Sequence, residues 1–578
     1  LTEVFERHGT RGTWYAHASV GTLHVRPILD MRRDGTQKMR AIAEEAGALV
    51  RRYKGAFSGE HGDGLVRSEW VAWQFGPRLT RAFEQIKDLF DPDGLMNPGK
   101  IVRCEKMDAK ELFRFKPSYQ VVPLKPALDW SAWNVQNDPA TERVGAPGTG
   151  GDPAHGFAKA VEMCNNNGHC RKFDAGTMCP SYRITRDEQH LTRGRANTLR
   201  LALSGQLGPD ALASEAVRDA MDLCVSCKGC KRDCPTGVDM ARMKIEFLNQ
   251  WRKRHGLSLK DRLIATMPQW APWAARLPWL FNLRNAVPLL ARLTEKHLGI
   301  SAKRKLPAWR RDTFIKNAAS APAEQADVVL FADTFNNYFE SENAHAALQV
   351  LTAAGYKVHV ARALAGSPQE NRPLCCGRTY LSAGLVEKAR AEARRTLDAL
   401  LPFIRRGIPV VGLEPSCLLT LRDEFLVMGL GEEAQALAKQ SYLFEEFLAR
   451  ELKADRLKLQ LKPLPQKRAL LHGHCHQKAF DAVKPVQQIL GLIPELEVEL
   501  VESSCCGMAG SFGYDASHYE ASMKMAELSL LPALREADAH TLLVADGTSC
   551  RHQIADGLEQ DSGRRAEHVA IILRRALA

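Results

Sequence analysis

Long apolar runs are missing from this 578-residue chain: no stretch of 18 or more apolar residues occurs, which excludes a membrane-spanning helix. No secretory leader precedes the patterned sequence. An initiator methionine is missing as well, and the chain starts at Leu1 already in pattern, so a longer protein truncated at its N-terminus is expected. Nucleic-acid motifs are absent. The formal charge of +12 is spread along the chain, which fits a basic surface facing an anionic membrane or an acidic partner better than nucleic acid. The 15 cysteines do not form a disulfide framework, since most sit in C-x2-C and C-C-G groups. That usage implies metal sites in a reducing, cytoplasmic compartment. The length suggests about four domains.

What is present is organised around Cys224-Val-Ser-Cys227-Lys-Gly-Cys230-Lys-Arg-Asp-Cys234-Pro235. The spacing C-x2-C-x2-C-x3-C-P wraps an iron–sulfur cubane, with the fourth cysteine turned towards a second cluster. Zinc is the rival, but zinc sites usually use two C-x2-C pairs. An earlier run holds Cys164, Cys170 and Cys179-Pro180, with Asn167 at its second position. If the fourth cysteine of each run serves the other cluster, Cys179, Cys224, Cys227 and Cys230 complete one [4Fe–4S] cubane. Cys164, Cys170 and Cys234 leave a second cluster one thiolate short. It could be a three-iron cluster, could recruit His169 or Asn167, or could fail to assemble. Helices are expected over 192–212 and 213–223, with Arg193, Arg195 and Arg200 on polar faces.

Near the N-terminus, His17 and His24 flank a glycine turn, and residues 23–29 form a strand placing His24 and Arg26 on one face. Ser58-Gly59-Glu60-His61-Gly62-Asp63-Gly64 follows, a glycine-rich loop with a carboxylate beside an imidazole. Two histidines and a glutamate can bind a divalent metal that polarises a hydroxyl or carboxylate oxygen. A neighbouring histidine can take the hydroxyl proton. Structural histidines are the plain alternative. Arg26 suits a carboxylate clamp, because guanidinium pairs bidentately with carboxylate; a surface arginine on an edge strand is the other reading.

These motifs, with Asp91-Pro-Asp-Gly-Leu-Met-Asn97-Pro98-Gly99-Lys100, resemble the C-terminal cap region of FAD-linked oxidases, the D-lactate and D-2-hydroxyglutarate dehydrogenases. The resemblance implies that His17, His24 and Glu60 hold a metal (zinc or manganese) gripping a 2-hydroxy acid. It also implies His61 as the base, and Asn97 and Gly99 beside the flavin. The family's first motif is H-x-G-D-G-N-L-H, whereas Ser19, Val20 and Thr22 stand here at the Gly, Asp and Asn positions. The glycine-rich half that would bind the FAD diphosphate has no counterpart in residues 1–115.

A proline-rich linker with Trp130 and Trp133 covers 116–155. Residues 156–250 hold the cysteine runs on helices, resembling the alpha-helical ferredoxin arrangement of succinate dehydrogenase-like subunits. Residues 251–320 form a basic connector with Trp251, Trp270, Trp273, Trp279 and Trp309. Its short amphipathic helices suit either a membrane interface or packing over the cluster domain.

The remainder contains an internal repeat, 321–455 and 463–578. Copy one has Cys375-Cys376-Gly377 and Cys417; copy two has Cys475, Cys505-Cys506-Gly507 and Cys550. Strands alternate with helices, implying parallel α/β units with cysteines at the strand C-terminal ends. The pair resembles the CCG domains of heterodisulfide reductase, glycolate oxidase and anaerobic glycerol-3-phosphate dehydrogenase subunits. There, such cysteines hold a metal or an unusual cluster; a metal-free degenerate fold is the alternative, and Phe335 stands where Cys475 aligns. The expected fold is thus multidomain, α/β and α+β: a remnant of an oxidase cap, an alpha-helical ferredoxin domain and two CCG repeats. The expected function is FAD-dependent oxidation of a D-2-hydroxy acid, with clusters passing electrons to a quinone or soluble carrier. The alternative is an electron-transfer subunit with a vestigial cap. The expected location is the cytoplasm, peripheral on the inner face of the plasma membrane, with homo-oligomerisation left open.

Overall fold

The computed structural model describes residues 1–31, 34–59, 62–113, 121–134, 152–173, 176, 178–367, 369–559 and 561–578. The chain forms two compact units, one chiefly Leu1–Val121, the other chiefly 152–203 and Leu207–Ala578.

In the first unit, strands β1 (Gly12–His17) and β2 (Thr22–Pro27) pair antiparallel, with Tyr15 opposite His24 and His17 opposite Thr22. The strand expected over 23–29 therefore starts one residue earlier and ends at Pro27. Phe5 stacks on Trp14 at 4.8 Å and joins Val4 and Ile42 in a small core. Gly12 permits that approach, because a Cβ there would lie 2.1 Å from the Phe5 ring. The long helix Val71–Phe90 breaks at Gly76 (φ 76°, ψ 172°), directly before Pro77, whose missing N–H cannot continue the ladder.

In the second unit, helices Phe157–Glu162, Pro180–Thr185, Thr192–Leu203, Glu215–Asp222, Gly229–Asp233 and Met240–His255 surround the cysteine runs. The helix expected to reach residue 212 stops at Leu203. Gly208 (φ 96°) takes the left-handed conformation that glycine tolerates, and the chain turns back through Ala211–Ala213. The connector is helical over Leu259–Ala265, Met267–Ala274, Pro278–Ala286 and Pro288–Leu298. Its tryptophans divide: Trp309 packs on Phe339 at 4.4 Å, whereas Trp273 and Trp279 are 66% and 68% exposed.

Strands β3 (Val328–Phe331), β4 (Val358–Val360), β5 (Val410–Gly412) and β6 (Ser441–Leu443) form a parallel sheet in the order β4-β3-β5-β6. Strands β7 (Arg468–Leu471), β8 (Glu497–Leu500) and β9 (Leu542–Val544) form a second, ordered β8-β7-β9. Continuous apolar runs such as Val328–Phe331 suit strands covered on both faces. The two sheets share one core, in which Leu330, Val411 and Phe444 meet Leu471, Ile489 and Ile572. Helix Val569–Ala576 of the second half packs on Ser341–Ala353 of the first.

Candidate functional site

Cys179, Cys224, Cys227 and Cys230 line one cavity, together with Thr192 and Arg195. Cys179 adopts φ 51° and is followed by Pro180 at the first position of a helix, so its thiol turns back towards the later run. That run folds tightly through Ser226 (φ 50°) and Lys228 (φ 60°). Backbone N–H groups donate to sulfur: Thr192 to Cys179 at 3.2 Å and Met240 to Cys230 at 3.3 Å. Burial pushes the Cys227 and Cys230 thiols well up, so their thiolates need a bound cation to persist. Burial acts the same way on Cys224, but Arg195 and Lys244 outweigh it and hold that thiol below its usual value. Arg195 was expected on a polar helix face. It is instead 2% exposed, donating to the Ala220 carbonyl at 2.8 Å and to Ser181 Oγ at 3.0 Å. Four converging thiols, N–H···S donors, the buried Arg195 and the half-buried Lys244 make a donor set that fits an anionic four-thiolate cluster.

Cys170 lies in the turn His169–Arg171, which packs against Gly229–Asp233, the helix leading into Cys234. Its thiol is pushed up to about 11 by burial, with the Cys179 and Cys164 thiols adding to the effect. Cys164 Sγ stands 3.9 Å from Asn166 Oδ1, and Cys234 Sγ 3.3 Å from Thr236 Oγ1. Asn167 is exposed and engaged in its own loop, accepting from His169 N at 2.8 Å.

In the second α/β half, Cys475, Cys505, Cys506 and Cys550 are all buried and linked by thiol contacts, Cys475 to Cys505, Cys505 to Cys506, and Cys506 to Cys550. The hydrogen bond from Cys505 is the largest influence on Cys475, pulling it down to about 6 against burial. His472 joins them: one of its ring nitrogens lies within 4.8 Å of the Cys506 and Cys550 sulfurs. Its ordinary value is lowered to about 4 by burial. No spacing argument singled out His472; the signal was present in His472-Gly-His474-Cys475-His476 at a strand's C-terminal end.

This pocket adjoins the first cavity. Cys227 shares a hydrophobic core with Cys475, Cys505, Cys506 and Cys550, and after burial Cys475 is the largest influence on its thiol. His476 Nε2 is 3.1 Å from the Ser226 carbonyl. Lys228 Nζ is 2.7 Å from both Asp423 Oδ2 and Glu424 Oε1, and Arg232 bonds the Lys478 carbonyl. In the first half, Cys376 contacts Cys375 and Cys417, with Asp333 and Glu414 close by.

In the first unit, Tyr15, His17, Thr22, His24 and Arg26 share one face of the hairpin, as the register requires. Tyr15 stacks on His24 at 4.1 Å, the His17 and His24 rings are 4.9 Å apart, and Arg26 donates to the Tyr15 hydroxyl at 2.8 Å. The start of the glycine-rich loop abuts this face: a Cβ on Gly59 would lie 2.6 Å from Thr22 Oγ1. Glu60 and His61 lie outside the described residues. Asn97 (φ 46°) and Gly99 (φ 71°) form a tight left-handed turn. The Asp91 carboxylate organises the segment before it, accepting from Leu95 N at 2.8 Å and Met96 N at 2.9 Å.

Comparison with known proteins adds to this geometry. Residues 1–101 match the model of FAD linked oxidases, C-terminal domain. Residues 160–238 match a 4Fe-4S dicluster domain. Over 95% of its length the chain is 29% identical to D-2-hydroxyglutarate dehydrogenase of Escherichia coli, covering 55% of that protein. It is 30% identical to D-2-hydroxyglutarate dehydrogenase of Pseudomonas putida, again over 95% of this chain and 55% of the relative. Over 59% of the chain it is 28% identical to a subunit of the anaerobic glycerol-3-phosphate dehydrogenase of Escherichia coli, covering 81% of that subunit. The chain thus spans about half the length of the D-2-hydroxyglutarate dehydrogenases it matches. One polypeptide joins a match to the C-terminal domain of FAD linked oxidases with a match to a 4Fe-4S dicluster domain, which supports FAD and an iron–sulfur cluster as its cofactors.

Proposed function

We propose that this chain serves the FAD-dependent oxidation of a D-2-hydroxy acid, D-2-hydroxyglutarate or D-lactate, to the 2-oxo acid, its electrons leaving through iron–sulfur groups to a quinone or soluble carrier. The observation that carries this is the convergence of Cys179, Cys224, Cys227 and Cys230 on one cavity. Thiolates in that number and spacing hold a [4Fe–4S] cubane, which serves one-electron transfer. FAD, when bound, supplies the two-electron acceptor.

The chain's own residues do the rest. His17 and His24, with Glu60, hold a divalent metal of the zinc or manganese class against the acid's hydroxyl and carboxylate oxygens. Arg26, already oriented by Tyr15, pairs with the carboxylate. His61 takes the hydroxyl proton as the C2–H bond breaks. Asn97 and Gly99 shape the turn beside the flavin. Cys164, Cys170 and Cys234 form a second, thiolate-poor cluster site beside the first.

The architecture proposed with this reading is a cap over 1–115, a linker over 116–155 and an alpha-helical ferredoxin-type domain over 156–250. A connector over 251–320 and two CCG copies over 321–455 and 463–578 complete it. The common strand order β4-β3-β5 and β8-β7-β9 supports the repeat, as does the equal spacing from β3 to Phe335 and from β7 to Cys475. The outward Trp273 and Trp279 support peripheral contact with the inner face of an anionic membrane. No helix among the described residues is long and apolar enough to cross one.

The test is anaerobic mixing of the FAD-loaded protein with D-2-hydroxyglutarate, D-lactate and their L enantiomers, following bleaching of the visible charge-transfer absorbance. Bleaching by one D enantiomer, lost in His61→Ala, is expected. Bleaching by dithionite but by none of the acids would overturn the substrate assignment. It would favour the second reading, an electron-transfer component, which the match to the anaerobic glycerol-3-phosphate dehydrogenase subunit supports.

A further inference from the structure

We propose that His472 is a fifth protein ligand, through Nε2, of an iron–sulfur group held in the second α/β half by Cys475, Cys505, Cys506 and Cys550, and that its imidazole sets this group at a higher potential than an all-thiolate ligand set would. The inference rests on the assignment of those four cysteines to a metal group in the proposed function; the histidine and its consequence go beyond it.

His472 directly follows β7, the central strand of its sheet, at the C-terminal end where parallel α/β folds place ligands. It is 1% exposed. One ring nitrogen lies within 4.8 Å of Cys506 Sγ and Cys550 Sγ.

The neighbours of Ser503 decide which nitrogen is available. Ser503 Oγ lies 3.3 Å from the Val501 carbonyl, an acceptor for its proton. It accepts from Lys478 Nζ at 3.2 Å, and it lies 2.8 Å from His472 Nδ1. Ser503 thus engages Nδ1 and leaves Nε2 as the ring nitrogen turned to the thiols; a metal on Nε2 leaves the ring hydrogen on Nδ1, where Ser503 Oγ can accept it while its own proton goes to the Val501 carbonyl. That Nε2 is buried and meets no oxygen or nitrogen partner among the described residues; the polar group the imidazole interacts with in the pocket is the Cys506 thiol. An imidazole anchored through Nδ1 and presenting Nε2 to a ring of thiols is how a ligating histidine is positioned.

Donor number argues against a lone zinc. Four cysteines and a histidine exceed the four ligands of a tetrahedral metal, and two of the thiols belong to adjacent residues. The first half provides an internal comparison. Ala332 directly follows β3 where His472 follows β7, and Phe335 stands where Cys475 does. The histidine and the cysteine are both replaced by apolar residues there, as expected if they serve one group. An imidazole is neutral where a thiolate is anionic, so it disfavours the oxidised state and raises the potential, the direction seen when histidines replace cysteines in Rieske centres.

The holoprotein, purified anaerobically and labelled with 15N-histidine, is the material for the test. Iron, sulfide and zinc are counted, and pulsed EPR is recorded with the second centre poised in its paramagnetic state. A midpoint potential distinct from that of the cubane and a nitrogen hyperfine coupling are expected for the centre on Cys475, Cys505, Cys506 and Cys550, this second centre being separate from the Cys164 site. His472→Ala abolishes the coupling. His472→Cys keeps the iron content but lowers the second midpoint, leaving that of the cubane on Cys224 unmoved. The cubane signal is the folding control, and the wild-type coupling decides the matter even if His472→Ala fails to fold. Zinc in place of iron in this pocket, no nitrogen coupling in the wild type, or a coupling that survives His472→Ala would overturn the proposal. The cubane and its bleaching by a hydroxy acid are read separately, so failure here is distinguishable from failure of the proposed function.

Discussion

Replacing Lys228 with methionine isolates the contact between the cluster loop and the first α/β half. Lys228 sits between Cys227 and Gly229, is 2% exposed, and places Nζ 2.7 Å from Asp423 and 2.7 Å from Glu424. Methionine keeps most of the stem and removes the charge. Deleting one partner of a buried ion pair costs about 3–5 kcal/mol, because the other charge stays buried. Asp423 would keep Lys231 at 2.5 Å, but Glu424 would keep only Arg378 at 3.5 Å, and its Oε2 has no partner at all. The low end applies, about 3 kcal/mol, or roughly a hundredfold in the local unfolding equilibrium. Adding Glu424→Gln removes the orphaned charge and should recover at least about 1 kcal/mol. The assay is urea unfolding followed by loss of cluster absorbance, a probe local to this loop, since a protein of several domains has no single unfolding free energy.

The same pair sets a pH signature. Burial raises the Asp423 carboxyl, but Lys228 and Lys231 outweigh burial and hold it well below the usual carboxylate range. A depressed folded value means stability that is complete above the unfolded value of 3.8 and lost as pH falls through the folded one. Wild type and Lys228→Met should therefore differ fully at neutral pH and converge in acid. A neutral-pH difference under about 1 kcal/mol, the range of exposed pairs, would refute the buried-pair argument. So would a difference that persists unchanged in acid.

Cys179→Ala should cost the complete cluster about one iron and convert its EPR signature towards a three-iron type, whereas Cys164→Ala should leave that signature intact. Arg195→Met removes a buried cation beside Cys224 and should lower the cubane midpoint by the equivalent of about 2 kcal/mol; an unchanged midpoint in a potentiometric titration would contradict the role given to Arg195. Trp273→Ser with Trp279→Ser should weaken co-sedimentation with anionic vesicles about tenfold while leaving the cluster signal alone, and equal binding would remove the membrane assignment. His17→Ala and His24→Ala should each lower the zinc or manganese content of the first unit, measured by elemental analysis, without changing the iron content.

Sequence by itself determined the features that depend on local spacing. The C-x2-C-x2-C-x3-C-P run, the His17 and His24 hairpin and the buried apolar strands of two parallel sheets all lie within short windows, where periodicity and ligand spacing act directly. Tertiary structure decided what depends on neighbours distant in the chain. It buried Arg195, because the helix face that looked polar packs against the cysteine loops and its charge is used there rather than in water. It turned Trp309 inward and Trp273 outward within one amphipathic pattern, since the pattern fixes a face but not what covers it. It ended the helix at Leu203 where the residue pattern allowed more. It also brought His472 to Cys506 and Cys550, three residues that only the ends of separate strands and loops could gather in one buried pocket. A histidine's availability as a ligand depends on the hydrogen bond made by its other nitrogen, and the Ser503 hydroxyl that makes it comes from a loop on the neighbouring strand.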